Sequence, residues 1–425
     1  MTRTSLAVRL AAMILIPLSL AHTSLAYSVL THEAIIDSAW DDSIKPILMK
    51  RFPRSTAEQL REAHAYAYGG AIIQDMGYYP LGSKLFTDLV HYVRSGDFIE
   101  ALIAESQDLN ESAFALGALA HYAADNNGHA IAVNRAVPAL YPKLRVRFGN
   151  KVTYVEDPTA HVKTEFGFDV VQVARGRYAS EAYHDFIGFK VSKPVLERAF
   201  KRTYSLDIKD IFTNFDLAVG AYRRAVSSVI PRLTKVAWEA KKDDIAKTSP
   251  GVTRDKFIYD ITREQYEKDW GKEYDKPGLF DKTLALFLRI VPKVGPFAPL
   301  GFRALTPEVE RMFIESFDAT LNEYRGVLAR VRSGKLELPN KDFDTGQPTR
   351  AGEYKLADET YAKLLLKVAG RDFESVTPEL RQNILAFYGD LNLPIATKQD
   401  NKEWRKTLSA LNRLKTAPMT AGRTQ

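Results

Sequence analysis

An acidic residue at the end of a long apolar run constrains this chain more than any other sequence feature. Residues 114–124 are apolar on nearly all sides of a helix, which predicts a helix in the centre of a domain. His121 lies within this run and Asp125 follows it directly. Because an isolated buried carboxylate is strongly disfavoured, the fold must supply Asp125 with a positively charged partner.

Histidines and acids recur around this helix in a pattern typical of a metal site. The candidates are His32, Asp75, His91, His121, Asp125, His129, His161 and Glu165. His121 and Asp125 are four residues apart, and so are His161 and Glu165. Residues at this spacing share one face of an α-helix, so each pair projects its side chains together.

The ligand types favour zinc. The chain has no cysteine, so a metal must bind imidazole and carboxylate, which are zinc's usual ligands when thiolate is absent. The eight candidates exceed the tetrahedral set of one ion, and the sequence predicts two or three zinc ions. A single His-x-x-x-Asp pair is more often a structural hydrogen bond, but the second pair and the further candidates favour a metal site.

The hydrophobic pattern predicts an all-α chain in two parts. Residues 27–200 are predicted to form a buried multi-helix domain. Residues 201–425 are predicted to form an additional, mainly helical region of unassigned role, with a basic tail from about Lys398 that is solvated or disordered. No alternation with a period of two residues indicates a large sheet.

Local signals place several of the expected elements. Ser55 and Glu58 fit a capping box at the start of one helix, and Ser83 is a candidate N-cap for the next. An Asn-Asn-Gly turn is expected to carry His129 off the end of the central helix. Residues 137–158 are predicted to be a loop, and further helices are predicted at 208–242, 307–333 and 356–369.

The first 26 residues have the pattern of a signal peptide. Arg3 and Arg9 supply a positive start, a short apolar run follows, and Ala26 ends a small-residue cleavage site. Cleavage there would make Tyr27 the mature N-terminus. The expected location is therefore secreted or periplasmic.

At this point the sequence resembles the zinc-dependent phospholipase C family, which is related in fold to the single-strand-specific zinc nucleases. The motif order matches: a His near the mature N-terminus, then Asp, His, His-x-x-x-Asp, His and His-x-x-x-Glu, over about residues 27–200. The resemblance implies an all-α catalytic domain. Family members also use their N-terminal amine and carbonyl as metal ligands, a role that would fall to Tyr27, where the family usually has Trp.

The resemblance also implies which residue holds which ion. The first zinc is assigned to Asp75, His91, His121 and Asp125. The second is assigned to His129, His161 and Glu165. The third is assigned to Tyr27, His32 and Asp125. Asp125 would bridge the first and third ions, and Asp75 would serve both as a ligand and as the catalytic proton acceptor.

The function implied is phospholipase C activity, in which a metal-bound hydroxide hydrolyses the phosphodiester of a phospholipid headgroup. Two alternatives stay open: a zinc-dependent nuclease or phosphatase of the same fold, or a non-catalytic, metal-stabilised lipid-binding protein. The net charge of +7 suits an anionic membrane or a nucleic acid. The apolar and basic segment 280–302 is compatible with peripheral membrane contact, although a buried helix followed by a loop is favoured there. Nothing in the sequence indicates a protein partner.

Overall fold

A computed structural model describes residues 29–174, 190–224 and 301–418. Helices make up 73% of the structure, and the all-α prediction is confirmed. Within the described ranges, no helix combines the length and the apolar character needed to cross a bilayer. The predicted signal peptide, Tyr27 and almost all of segment 280–302 lie outside the described residues.

The described N-terminal part is built from helices joined by short connections. Helices α1 to α11 are Val29–Ala39, Lys45–Arg51, Ala57–Ile72, Lys84–Tyr92, Ser95–Glu105, Leu109–Asn127, Asn134–Leu140, Pro142–Phe148, Pro158–Ala174, Lys193–Tyr204 and Phe215–Arg224. Turns of 3₁₀ helix occur at Ile73–Tyr78 and Ile208–Asp210, and π-helical turns at Trp40–Ile44 and Gly128–Val133.

The C-terminal part adds further helices and one short hairpin. Helices α12 to α15 are Pro307–Ser333, Lys355–Ala369, Pro378–Phe387 and Asn401–Thr416, with a 3₁₀ turn at Ala396–Gln399. Strands β1 (Lys341–Asp342) and β2 (Gln347–Pro348) pair in antiparallel fashion. This hairpin contacts α4 and α5, and α12 packs against α6 and α1. One hydrophobic core includes residues from both parts.

Two glycines allow α3 and α6 to cross at the centre of this core. A Cβ atom at Gly117 would lie 2.0 Å from the Ala67 carbonyl oxygen, and one at Gly70 would lie 1.9 Å from the Phe114 carbonyl oxygen. Only glycine permits backbones to approach this closely. The crossing brings the end of α3 alongside the buried helix that carries the central His and Asp.

The helix starts follow the sequence signals with one shift. Ser83 caps α4 as predicted, accepting a hydrogen bond from the Phe86 amide. The predicted capping box at Ser55 is wrong by one residue, because Thr56 and Gln59 form it. The Ser55 hydroxyl donates instead to the Phe52 carbonyl oxygen at 2.9 Å.

The loop predicted at 137–158 is wrong over residues 137–148, which contain the end of α7 and the whole of α8, and is confirmed over 149–157. Pro138 lies inside α7 and has no N–H for the carbonyl of Asn134, four residues earlier. The Val152 amide donates to that carbonyl at 2.9 Å and replaces the missing bond. Pro142 starts α8, a position that a proline tolerates well.

The C-terminal predictions have mixed outcomes. The helix at 307–333 is confirmed, and the helix predicted at 356–369 starts one residue earlier. The helix predicted at 208–242 is, where described, a 3₁₀ turn and the separate helix α11. Residues 401–416 of the tail predicted to be solvated or disordered are ordered, because they form α15 and bury Ala410, Leu411 and Leu414, while the basic residues of this helix are exposed. The many basic residues of this stretch mask its apolar spacing in the sequence.

We predict that Gly117→Ala destabilises the protein, because the new methyl group must push against the α3 backbone. The expected loss is about 1–3 kcal/mol in the free energy of unfolding, measured by urea denaturation. Gly326 in α12 is the matched control, since a Cβ atom there meets nothing within 4 Å. Gly326→Ala should stabilise by about 0.5–1 kcal/mol. Equal effects of the two substitutions would contradict the close helix crossing.

Candidate metal centre

Three groups of buried side chains bring together ligand atoms that lie within 4.8 Å of one another. The groups are His32, His121 and Asp125; Asp75, His91 and His121; and His129, His161 and Glu165. The structure thus gathers every predicted ligand except Tyr27, which lies outside the described residues. The ligands come from α1, the turn after α3, α4, α6, the turn after α6, and α9.

Asp125 belongs to the first group and also contacts both histidines of the second. Its Oδ2 is 3.1 Å from His121 Nε2 and 3.4 Å from His91 Nε2. Its Oδ1 is 3.7 Å from His32 Nε2. The two carboxylate oxygens therefore face different histidines, which is the arrangement needed to bridge two cations.

Asp75 reaches the same cluster from the 3₁₀ turn Ile73–Tyr78. Its Oδ1 is 3.4 Å from His91 Nε2. The His32 and His121 rings stack with their centroids 4.5 Å apart, which fixes both ring planes. Four candidate ligands, three of them from other helices or turns, thus cluster with Asp125.

The third group is built on α9 and the π-helical turn after α6. His161 Nδ1 is 2.7 Å from Glu165 Oε1, one helical turn away, and His129 Nε2 is 3.6 Å from the same oxygen. The expected departure of His129 from the helix end is wrong, because Gly128–Val133 continues α6 as a π-helical turn. Such turns re-aim side chains and are frequent at functional sites.

Hydrogen bonds to backbone carbonyls fix the tautomers of three of these histidines. In each case Nδ1 lies 2.9 Å from a carbonyl oxygen. The pairs are His91 with Thr87, His121 with Ala71, and His129 with Phe343. A carbonyl only accepts, so Nδ1 carries the proton, and Nε2 of the neutral ring presents a lone pair.

His161 is held in the opposite tautomer. The side-chain Nδ2 of Asn134 donates to the Asp344 carbonyl oxygen at 2.6 Å, which turns Asn134 Oδ1 toward His161. His161 Nε2 donates to that oxygen at 3.0 Å. Its Nδ1 lone pair therefore faces Glu165.

The chemistry of the buried histidines and acids fits the binding of several metal cations. Nε2 of His121 and Nε2 of His129 have no hydrogen-bond partner among the described residues, and neither does Nδ1 of His161. Each of these nitrogens faces a buried carboxylate oxygen, and such a pair is stable only when a proton or a metal cation lies between the two atoms. Hydrogen bonding of the opposite ring nitrogen is the usual support for a metal-ligating histidine.

The pKa values of Asp75 and Asp125 are shifted in opposite directions. Burial raises the pKa of Asp75, and the charges of neighbouring histidines oppose this shift only in part. Burial also acts to raise the pKa of Asp125, but His121 and His91 outweigh it and hold that pKa well below its usual range. Asp125 is thus the permanent anion, and Asp75 has the greater proton affinity.

The pKa values of the histidines are also shifted in both directions. Burial and neighbouring imidazoles lower the pKa of His32 and of His161, so both rings are neutral, as a metal ligand must be. Burial disfavours the charged form of His91, but Asp125 and Asp75 outweigh it and raise its pKa to about 10. Glu165 and Asp344 raise the pKa of His129 to about 9, again against the effect of burial. In the absence of a metal, protons on these two rings balance the buried acids.

Sequence reasoning missed the supporting residues from the C-terminal part. The Phe343 ring packs against His91 and His121, with centroid distances of 5.1 and 6.1 Å. Asp344 Oδ1 lies 3.3 Å from His129 Nδ1. Asp342 and Asp344 belong to neither of the four-residue pairs, so their spacing gave no signal of this role.

An all-α fold that buries three groups of imidazoles and carboxylates has the side chains that a metal-binding protein needs. The family model described as zinc dependent phospholipase C matches residues 31–214. The predicted resemblance to the zinc-dependent phospholipase C family is thereby confirmed over this segment, which contains every described candidate ligand. No curated protein and no solved structure matches the chain.

We predict that Asp125→Asn removes at least one zinc ion per chain and abolishes activity while leaving the helical circular dichroism signal intact. The amide keeps the side chain's volume but loses the charge that two cations would share. Zinc per chain is measured by elemental analysis after dialysis. The control is Asp358→Asn, a buried acid that accepts hydrogen bonds only from the Gly352 and Ala396 amides among described residues. Unchanged zinc content and activity in Asp125→Asn would rule out the bridging role.

Proposed function

We propose that this chain is a phospholipase C that hydrolyses the phosphodiester of a phospholipid headgroup at the metal centre. The family match supports a zinc-dependent, phospholipase C-like function. The observation that carries the proposal is the position of Asp125, whose two oxygens face separate histidines. Such a carboxylate suits a pair of cations that together stabilise a phosphoryl transition state.

The chain's own residues have distinct tasks in this proposal. Zinc, when bound, supplies a Lewis acid and lowers the pKa of a coordinated water to about 7. Asp125 stays ionised and holds the site together. Asp75 Oδ2, the oxygen that does not face His91, accepts the proton of the attacking water, a role that suits its raised pKa. The backbone carbonyls of Thr87 and Ala71 keep the His91 and His121 rings aimed at the centre.

Two tyrosines flank the centre and suit contact with a phosphoryl group. The Tyr78 ring lies 6.3 Å from the His91 ring, and the Tyr154 ring lies 5.9 Å from the His161 ring. The two tyrosine rings are themselves 6.3 Å apart, so they connect the ligand groups. Burial raises the pKa of Tyr78 well above its usual value, so its hydroxyl stays protonated and can donate to a phosphoryl oxygen.

A substrate panel separates this proposal from its alternatives. We predict that the zinc-loaded protein releases phosphorylated headgroup and diacylglycerol from mixed phospholipid vesicles, and that Asp75→Asn lowers kcat by about 10²–10⁴-fold. The other substrates are single-stranded DNA and a phosphomonoester. Turnover of either of these without lipid turnover would favour the nuclease or phosphatase. Zinc binding without any turnover would favour the non-catalytic lipid-binding protein.

We also propose that the protein is secreted or periplasmic, with Tyr27 as its mature N-terminus. The signal-peptide pattern supports this, and so does the position of His32, five residues after Tyr27, in one of the ligand groups. An unprotonated α-amine can ligate zinc because its ordinary pKa is near 8. N-terminal sequencing of the exported protein should begin at Tyr27. A mature chain that retains residues 1–26 would exclude the Tyr27 amine as a ligand.

A further inference from the structure

The hairpin of residues 341–348, here called the C-terminal hairpin, touches the metal centre although it lies outside the family match. The Phe343 amide donates to the His91 carbonyl at 3.3 Å, and the Phe343 ring lies against two ligand histidines. Asp342 and Asp344 are both buried. The contact is therefore specific and extends into the protein interior.

Both histidines of the third ligand group depend on carbonyls of this hairpin. His129 Nδ1 donates to the Phe343 carbonyl at 2.9 Å. The Asp344 carbonyl accepts from Asn134, whose side-chain oxygen in turn accepts from His161 Nε2. Two consecutive peptide groups thus set opposite tautomers in the two rings, and each ring turns its lone pair toward Glu165.

The Asp344 side chain anchors these carbonyls. Its Oδ2 accepts hydrogen bonds from the hydroxyls of Tyr92 and Tyr354, the first at 2.9 Å. Its Oδ1 faces His129 Nδ1 at 3.3 Å. Since Tyr92 is on α4 and Tyr354 precedes α13, this carboxylate ties the hairpin to both parts of the chain.

The turn of the hairpin is fitted to the end of α6. Gly346 has a φ of +69°, and a Cβ atom there would lie 2.5 Å from the Asn126 carbonyl oxygen. The Gly346 amide donates to the Asp342 carbonyl at 2.8 Å, which closes the turn. The hairpin consequently has little freedom to shift relative to the residues that lead to His129.

We propose that the C-terminal hairpin is a positioning element that sets the zinc affinity of the site formed by His129, His161 and Glu165. This inference rests on the proposed zinc-dependent function. It gives residues 341–348 a role in the metal centre, and it couples that zinc ion to docking of the C-terminal part. Groups that orient a ligand histidine commonly change metal affinity on the order of 10- to 100-fold.

Two variants test the inference by zinc binding rather than by activity. In Asp344→Asn, the new oxygen can still accept from the two tyrosines, but the new NH₂ group faces the N–H of His129. Asn134→Leu keeps a similar volume and removes the link to His161. Each variant should weaken one class of zinc sites by about 10- to 100-fold in a chelator titration and leave the other sites unchanged. Asp358→Asn is the control and should match the wild type.

The outcomes separate the inference from the proposed function. If the wild type binds no zinc, the zinc-dependent function is refuted, and this inference with it. If the wild type binds zinc and both folded variants retain its full zinc affinity, only the inference is refuted. A purely structural role of the hairpin would lower the melting temperature of the variants without weakening one class of zinc sites selectively.

A measurement on the wild type covers the case of variants that do not fold. Zinc addition to the metal-free protein should slow hydrogen exchange at the Phe343, Asp344 and Gly346 amides, because coupling between site and hairpin is reciprocal. The Gly352 amide, which donates to Asp358 Oδ1 at 2.8 Å, serves as the internal control. Equal exchange with and without zinc at the hairpin amides would overturn the inference.

Discussion

The burial of Asp125 is the interaction on which the rest of this structure depends. It is an ionised carboxylate inside a helix that is apolar along most of its length, and it is fully buried. Its nearest polar neighbours are imidazoles, and the ring of His121 turns a lone pair, not a proton, toward it. An anion in such surroundings is stable only with a cation close by. The helices can therefore be understood as a scaffold that brings compensating ligands to this point.

The scaffold achieves this through backbone carbonyls as much as through side chains. The close crossing of α3 and α6 puts the Ala71 carbonyl within reach of His121. The turn inside α4 supplies the Thr87 carbonyl to His91. For His129 the carbonyl comes from Phe343, far along the chain. The groups that orient the candidate ligands thus come from both the N-terminal and the C-terminal parts, although the candidate ligands all belong to the N-terminal part.

The sequence predicted which histidines and acids form the buried groups, because their chemistry and spacing are both visible in it. His121 with Asp125, and His161 with Glu165, have helical spacing, and the absence of cysteine limits the possible metal ligands. The helix at 307–333 was predictable because Pro307 and Gly334 bracket its periodic core. In contrast, the carbonyl partners of the histidines have no side-chain signature, and any residue type can supply them. For this reason the roles of Phe343 and Asp344 were not predicted. Helix α7 was not predicted either, because the Val152 amide supplies the hydrogen bond to the Asn134 carbonyl that Pro138 cannot make.

The most direct test of a multi-cation centre around Asp125 is an anomalous difference map recorded at the zinc edge from crystals of the zinc-loaded protein. We expect peaks on both sides of Asp125 and a separate peak among His129, His161 and Glu165. Each should lie about 2.0–2.2 Å from its nitrogen and oxygen ligands. A map without peaks there, with the imidazoles hydrogen-bonded directly to the buried carboxylates, would contradict the central claim.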